Sequence, residues 1–295
     1  QRTAFIELAE ASGLQHLTAD ERNALHTSTF GVGELLLAAL DQGAEKALLL
    51  LGGSATNDGG AGMLQALGAR FLDQNDEPLP PGGAALSQLA RLTLDGLDPR
   101  LAGLALEAAV DVDNPLLGVR GATAVFGPQK GASPEEVEQL DRALGHFADI
   151  SAQVLGEDCR TLPGAGAAGG MGFAAKAFLN ATLKPGIEMI MQQADMATLL
   201  ANADLVITGE GRLDGQSLAG KTPIGVSRAA KRLNKPVIVL AGSLGDGWQA
   251  CFDEGVTAAF ALADGPMTLA DALPRTAELL EARCENLLRL WAHKR

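Results

Sequence analysis

DLVITGEGRLDGQSLAGKTPIGVSRAAKRLNKPVIVLAGSLGDGWQACFDEGVTAAFAL, residues 204–262, carries three short apolar runs: DLVIT (204–208), PVIVLA (236–241) and TAAFAL (257–262). Each run has strand length, and helical patterns over 223–233 and about 246–254 separate them. Alternation of β and α at this spacing implies crossover connections and a parallel sheet covered on both faces. The fold class is therefore α/β. Three strands make a thin sheet. A long C-terminal helix follows over about 269–291, with a break expected near Pro274.

The first 203 residues are less regular. Apolar runs at 4–8, 47–51 (ALLLL) and 104–112 read as strands. Residues 29–42 and about 60–69 read as helices. Residues 74–83 are polar and rich in Pro and Gly, which marks a surface loop. Residues 133–155 form a long amphipathic helix pattern. Ser133 is its cap, Pro134 its first position, and Glu136 completes a capping box. The change from irregular α+β to regular βαβ near 202–204 gives a division into a mixed α/β domain, 1–203, and a parallel-sheet domain, 204–295. The chain opens at Gln1 on an apolar run without a lead-in, which reads as a fragment or a trimmed chain.

Composition bounds the partners. The 295 residues carry a formal charge of −13, with 47% hydrophobic and 20% charged residues. That balance suits a globular chain with a sizeable core. It disfavours duplex nucleic acid and anionic membrane surfaces, which need a basic face. Tyr is absent and aromatics are 4%, which disfavours base-stacking platforms. A small anion remains compatible, because helix N-termini and a few cations act locally. The three cysteines, Cys159, Cys251 and Cys284, are far apart, as expected of reduced thiols in the cytoplasm. No apolar run reaches the ~18–20 residues of a membrane span.

Two pattern matches lack their structural context. Residues 215–222 (GQSLAGKT) fit G-x-x-x-x-G-K-[ST], but GEGRLD separates them from the preceding strand and Pro223 places the helix start after Lys221. Another kind of phosphate-binding loop fits better. Residues 164–169 (GAGAAG) fit G-x-G-x-x-G, yet EDCRTLP before them is a poor strand. A tightly packed Gly/Ala-rich helix start is the plainer account.

Four constellations carry chemistry. The loop GGSATNDGG (52–60) follows an apolar strand and precedes a helix. Gly52, Gly53, Ser54, Thr56 and Asn57 offer N–H and hydroxyl groups to an anion, and Asp58 is either a hydroxyl-orienting carboxylate or a helix cap. TGEGRLD (208–214) follows a strand, where α/β sheets gather ligands. Gly209 offers backbone, Glu210 and Asp214 can hold Mg²⁺ or orient a hydroxyl, and Arg212 suits a phosphate oxygen, unless Arg212 and the carboxylates simply brace the loop. Asp111 and Asp113 in DVDNP suit Mg²⁺, a substrate hydroxyl, or an Asx turn. Lys130 sits in the turn GPQKG, facing either an anion or solvent. The four histidines have no metal-ligand spacing, and there is no nucleophile elbow. Anion loops plus strand-end carboxylates suit phosphoryl transfer.

LGGSATNDGGAGMLQALGARF (51–71), VDNPLLG (112–118), FGPQKGAS (126–133), PGAGAAGGMG (163–172) and VITGEGRLDGQSLAGKTPIGV (206–226) resemble the bacterial type I glycerate kinases, in order and over essentially the whole chain. The resemblance implies phosphorylation of a hydroxyl of D-glycerate with ATP and Mg²⁺, giving 2-phosphoglycerate in most members. It also implies a Rossmann-like domain split between the chain's two ends, with a second α/β domain inserted in it. Family members begin with A-P-D-S-x-K and A-D-G-G-E-G-T segments that do not occur here. Physical assignments beside this resemblance are Asp58 or Asp214 on the glycerate hydroxyl, Glu210 and Asp111 on Mg²⁺, and Arg212, Lys130 and Lys221 on phosphate or carboxylate. A non-catalytic binder of nucleotides or small anions and an NAD(P)-dependent dehydrogenase are the other readings. A homodimer is left open.

Overall fold

The computed structural model describes residues 2–219 and 222–293. The chain divides into two compact units between Gly186 and Ile187. Both are α/β, with all-parallel principal sheets.

The first unit is built on β1 (Thr3–Glu7), β2 (Lys46–Leu50), β5 (Ala105–Ala109) and β6 (Thr182–Lys184), hydrogen-bonded in the order β1-β2-β5-β6. β3 (Arg70–Leu72) and β4 (Arg91–Thr93) form a separate antiparallel pair. Central β2 shows why its sequence is an unbroken apolar run: Ala47, Leu48 and Leu49 are all buried, so both faces are covered. Its helices are α1 (Leu8–Ser12), α2 (Phe30–Asp41), α3 (Ala61–Ala66), α4 (Ala122–Phe126), α5 (Pro134–Leu155) and α6 (Ala167–Leu179). The capping box at Ser133 and Glu136 is formed. Helix α5 buries Leu140, Leu144 and Phe147, and Phe147 meets Phe71, Phe173 and Phe178 at ring-centroid distances of 5.5, 5.7 and 5.9 Å. Each such pair adds about 1 kcal/mol beyond area burial.

The Gly/Ala-rich start of α6 is a close-packing device and not a dinucleotide loop. Ala168, Gly169 and Gly170 have positive φ and interrupt the first turn. Gly169 (φ +66°) presses on the loop after β2: a Cβ there would lie 2.1 Å from the Thr56 carbonyl oxygen. The Gly59 N–H donates to the Gly169 carbonyl at 2.9 Å. The glycines are needed so that two backbones can touch.

The second unit has β7 (Val206–Leu213), β8 (Val237–Leu244) and β9 (Ala258–Ala261) in that order. Here the strand assignment departs from expectation. GEGRL continues β7 where a loop was expected, with Glu210 opposite Ala241 and Arg212 opposite Ser243. Glycines on both strands permit this, because Gly209 lies against the Leu240 carbonyl and Gly242 against that of Gly211. Helices α7 (Gly186–Gln193), α8 (Met196–Asn202) and α9 (Thr222–Arg232) precede or link the strands. The division between units falls earlier than 203/204 because Ile187, Met191, Met196 and Leu200 pack with Val206, Val226, Ala230 and Val237. The pattern at 246–254 closes as a 3-10 turn over Trp248–Phe252. The terminal helix breaks at Pro274 into α10 (Leu269–Ala272) and α11 (Thr276–His293). Among the described residues no helix is long and apolar enough to cross a membrane.

Candidate active site

In the first unit the C-terminal ends of β2 and β5 lie side by side, with Leu50 in register with Ala109. The chain leaves them as Gly52, Gly53 and Ser54 on one side and as Asp111 on the other. These residues line a cavity of about 200 Å³, together with Phe126, Gln129 and Lys130. The loop is braced from behind, where Leu14 N–H donates to Gly53 O at 2.9 Å and Ala55 N–H to Ser12 O at 2.8 Å. A Cβ added at Gly52 would meet nothing within 4 Å, so its backbone borders open space.

Lys130 ends a 3-10 turn, Pro128–Lys130, that follows α4. The sequence left open a solvated lysine; the structure buries it to 1% exposure. Its Nζ donates to the Thr56 carbonyl at 2.7 Å. Burial lowers the ammonium to about 8, against the opposing pull of the Asp58 charge. An ammonium has three donors. A cavity wall bearing a desolvated lysine beside N–H groups of a Gly-rich loop favours a small anion.

Asp58 takes the capping alternative. It is completely buried. Its Oδ2 accepts from the Thr29 N–H (2.8 Å), the Thr29 hydroxyl (2.8 Å) and the Gly62 N–H (3.2 Å), and its Oδ1 from the Gly60 N–H (3.1 Å). Burial pushes its carboxyl upward against these hydrogen bonds. With no exposed oxygen, it ties the starts of α2 and α3 together and does not reach a substrate hydroxyl in this geometry. Thr56 and Asn57 are likewise buried. Asn57 Nδ2 donates to Thr123 Oγ1 at 2.9 Å, whereas Asn57 Oδ1 and Thr56 Oγ1 have no partner. Asn57 therefore ties the loop to α4 from inside, and Thr56 acts through its carbonyl. Asp111 is exposed on the cavity wall, with Oδ1 accepting from the Gly186 N–H at 2.8 Å. Asp113 pairs with Arg120 at 2.9 Å.

In the second unit Glu210 and Arg212 alternate along β7, which puts them on one face. Glu210 Oε1 is buried without a hydrogen-bond partner. Arg212 Nε lies 3.2 Å from Asp214 Oδ2, while most of the guanidinium stays exposed, so the brace leaves donors free for an anion. Asp214 also closes the following turn, accepting from Gln216 N–H at 3.0 Å. Gly209 serves the close strand approach described above. Lys221 lies outside the described residues. Among the described residues no three His, Cys, Asp or Glu side chains group as a metal cage. Mg²⁺ is commonly held by one or two carboxylates with waters and substrate phosphates, so an orphaned carboxylate oxygen such as Glu210 Oε1 suffices as a protein ligand.

Thr29 and Thr123 complete the buried network, and sequence reasoning passed over both. No local motif marks them, since each acts on a partner far along the chain. Gln129 and Phe126 were legible only as parts of FGPQKGAS.

The profile of the glycerate kinase family matches residues 1–292. A glycerate kinase from Halalkalibacterium halodurans is 50% identical over 287 residues, which span 97% of this chain and 76% of that protein. A glycerate 2-kinase from Escherichia coli is 48% identical over 271 residues, 92% of this chain and 71% of that protein. The crystal structure of a Salmonella typhimurium LT2 protein assigned as glycerate kinase 2 matches with a TM-score of 0.87 and 48% identity, covering 99% of this chain and 77% of that one. The chain belongs to the glycerate kinase family.

Proposed function

We propose that the protein transfers the γ-phosphate of ATP to a hydroxyl of D-glycerate, giving 2-phosphoglycerate, with Mg²⁺ as cofactor and in the cytoplasm. The observation that carries the acceptor site is Lys130, buried at the wall of the about 200 Å³ cavity beside Gly52, Gly53 and Ser54. Pockets for drug-sized ligands run to about 300–1,000 Å³, so a cavity of this size suits a three-carbon acid. Lys130 and the loop amides hold the carboxylate by charge-assisted hydrogen bonds. Asp111, exposed at the strand end, orients a hydroxyl and accepts its proton as the oxygen attacks. Phe126 adds apolar surface to the cavity wall, against which the carbon chain of the acid can pack.

On the second unit we assign Glu210 as a Mg²⁺ ligand and Arg212 and Lys221 as phosphate contacts. Bound Mg²⁺ would neutralise phosphate charge as it moves between oxygens. The sequence motif at 208–214 and the unpartnered Glu210 Oε1 support this assignment. The split-domain reading, with the first unit inserted, and a homodimer belong to the same proposal.

The test is ADP release with D-glycerate, ATP and Mg²⁺. Lys130→Met should raise KM for glycerate by about 10–100-fold, the equivalent of a lost charged hydrogen bond, with KM for ATP little changed. An unchanged KM for glycerate would remove Lys130 from the acceptor site.

A further inference from the structure

One carboxylate and one ammonium are buried among the described residues, Asp58 and Lys130, and both attach to the same loop. Lys130 Nζ donates to the carbonyl of Thr56, two residues before Asp58. Asp58 accepts four hydrogen bonds, which favour its ionised form against the upward push of burial. Asn57, between them, holds Thr123 in α4, the helix that leads into the Lys130 turn. The two charges therefore belong to one buried network, yet Lys130 forms no ion pair with Asp58 among the described contacts.

That separation has a chemical consequence. A lysine salt-bridged to its counter-ion spends its donors on that counter-ion. A lysine with a nearby but untouched negative charge stays protonated and keeps donors for a ligand. Four donors on Asp58 hold its charge in place, while a single carbonyl fixes the direction of the ammonium.

We propose that Asp58 is a positioning residue for Lys130: a buried counter-charge that keeps the cavity lysine an ammonium while leaving donors for the anionic group of the substrate. This rests on the reading that Lys130 holds the glycerate carboxylate. The field of Asp58 opposes the desolvation that lowers the Lys130 ammonium. The other charged groups around the lysine are differently placed. Asp111 is exposed on the cavity wall, Arg22 Nη1 donates to the Gln129 carbonyl at 3.2 Å, and Glu136 is engaged by the Ser133 N–H at 2.7 Å.

The experiment is an NMR titration of the full chain labelled with ¹³C at lysine Cε, with the Lys130 signal assigned by its loss in Lys130→Arg. The wild-type midpoint is expected near 8. In Asp58→Asn it should fall by about one pH unit or more, and Asp58→Glu should restore it toward wild type. An Asp58→Asn midpoint equal to wild type overturns the proposal. The alkaline rise of KM for glycerate should shift in parallel. Failure of the substrate reading is seen separately, as an unchanged KM in Lys130→Met. Should Asp58→Asn not fold, the ¹³Cγ shift of Asp58 in the wild type decides. A carboxylate that is ionised where Lys130 titrates supports the counter-charge, and a protonated carboxyl there overturns it.

Discussion

Lys130 links burial, charge and pH in a single residue. Its folded value, about 8, lies below the ordinary 10.5, so the protonated lysine costs the folded state. That cost is complete below about pH 8. Between 8 and 10.5 the unfolded chain binds more protons than the folded one, so the lysine's contribution to stability rises with pH. Urea melts at pH 7.5 and 9.5 should show wild type gaining on Lys130→Met as pH rises, while glycerate affinity changes in the opposite sense. Thr123 offers an independent check on the same network. Thr123→Val keeps the shape but leaves buried Asn57 Nδ2 without its acceptor. The expected loss is about 1–3 kcal/mol in urea unfolding.

The elements around the site are held by backbone contact as much as by side chains. The start of α6 lies on the loop after β2 because Gly169 presents no Cβ to the Thr56 carbonyl. Gly169→Ala should cost about 2–6 kcal/mol, combining strain at φ +66° with a clash that neither backbone can avoid. Thermal unfolding measures the cost. Because Thr56 O also holds Lys130, any folded fraction should show a raised KM for glycerate. In β7 and β8 the glycines act differently, letting two strands pair through positions that a sequence reading assigns to loops.

At the scale of the molecule, the two units differ in how their cores are built. The first has a continuous cluster running from Ile6 to Ala181, with the Phe147 ring group inside it. The second has smaller clusters, two on the face of β8 that bears Val237, Val239 and Ala241 and one on the face that bears Ile238 and Leu240. Residues 1–186 produced alone should therefore fold cooperatively and be stabilised by glycerate, without turning over ATP. Calorimetry with and without the ligand reads this directly. A fragment that folds but is not stabilised by glycerate would place the acceptor site elsewhere.

Local physics made much of this architecture readable. ALLLL at 47–51 reads as a buried strand because both faces of β2 are covered, and the Ser133 capping box needs only residues three apart. The order of βα elements in 204–262 and the family were legible for the same reason, since spacing and motif are properties of contiguous chain. Burial is not. Nothing within GPQKG distinguishes a solvated lysine from one whose ammonium meets the carbonyl of Thr56, 74 residues away in the chain. Likewise, Asp58 becomes a buried hub through Thr29, and GEGRL becomes strand through β8. In each case the deciding partner is remote in sequence, and desolvation and pairing exist only once the fold has brought the two together.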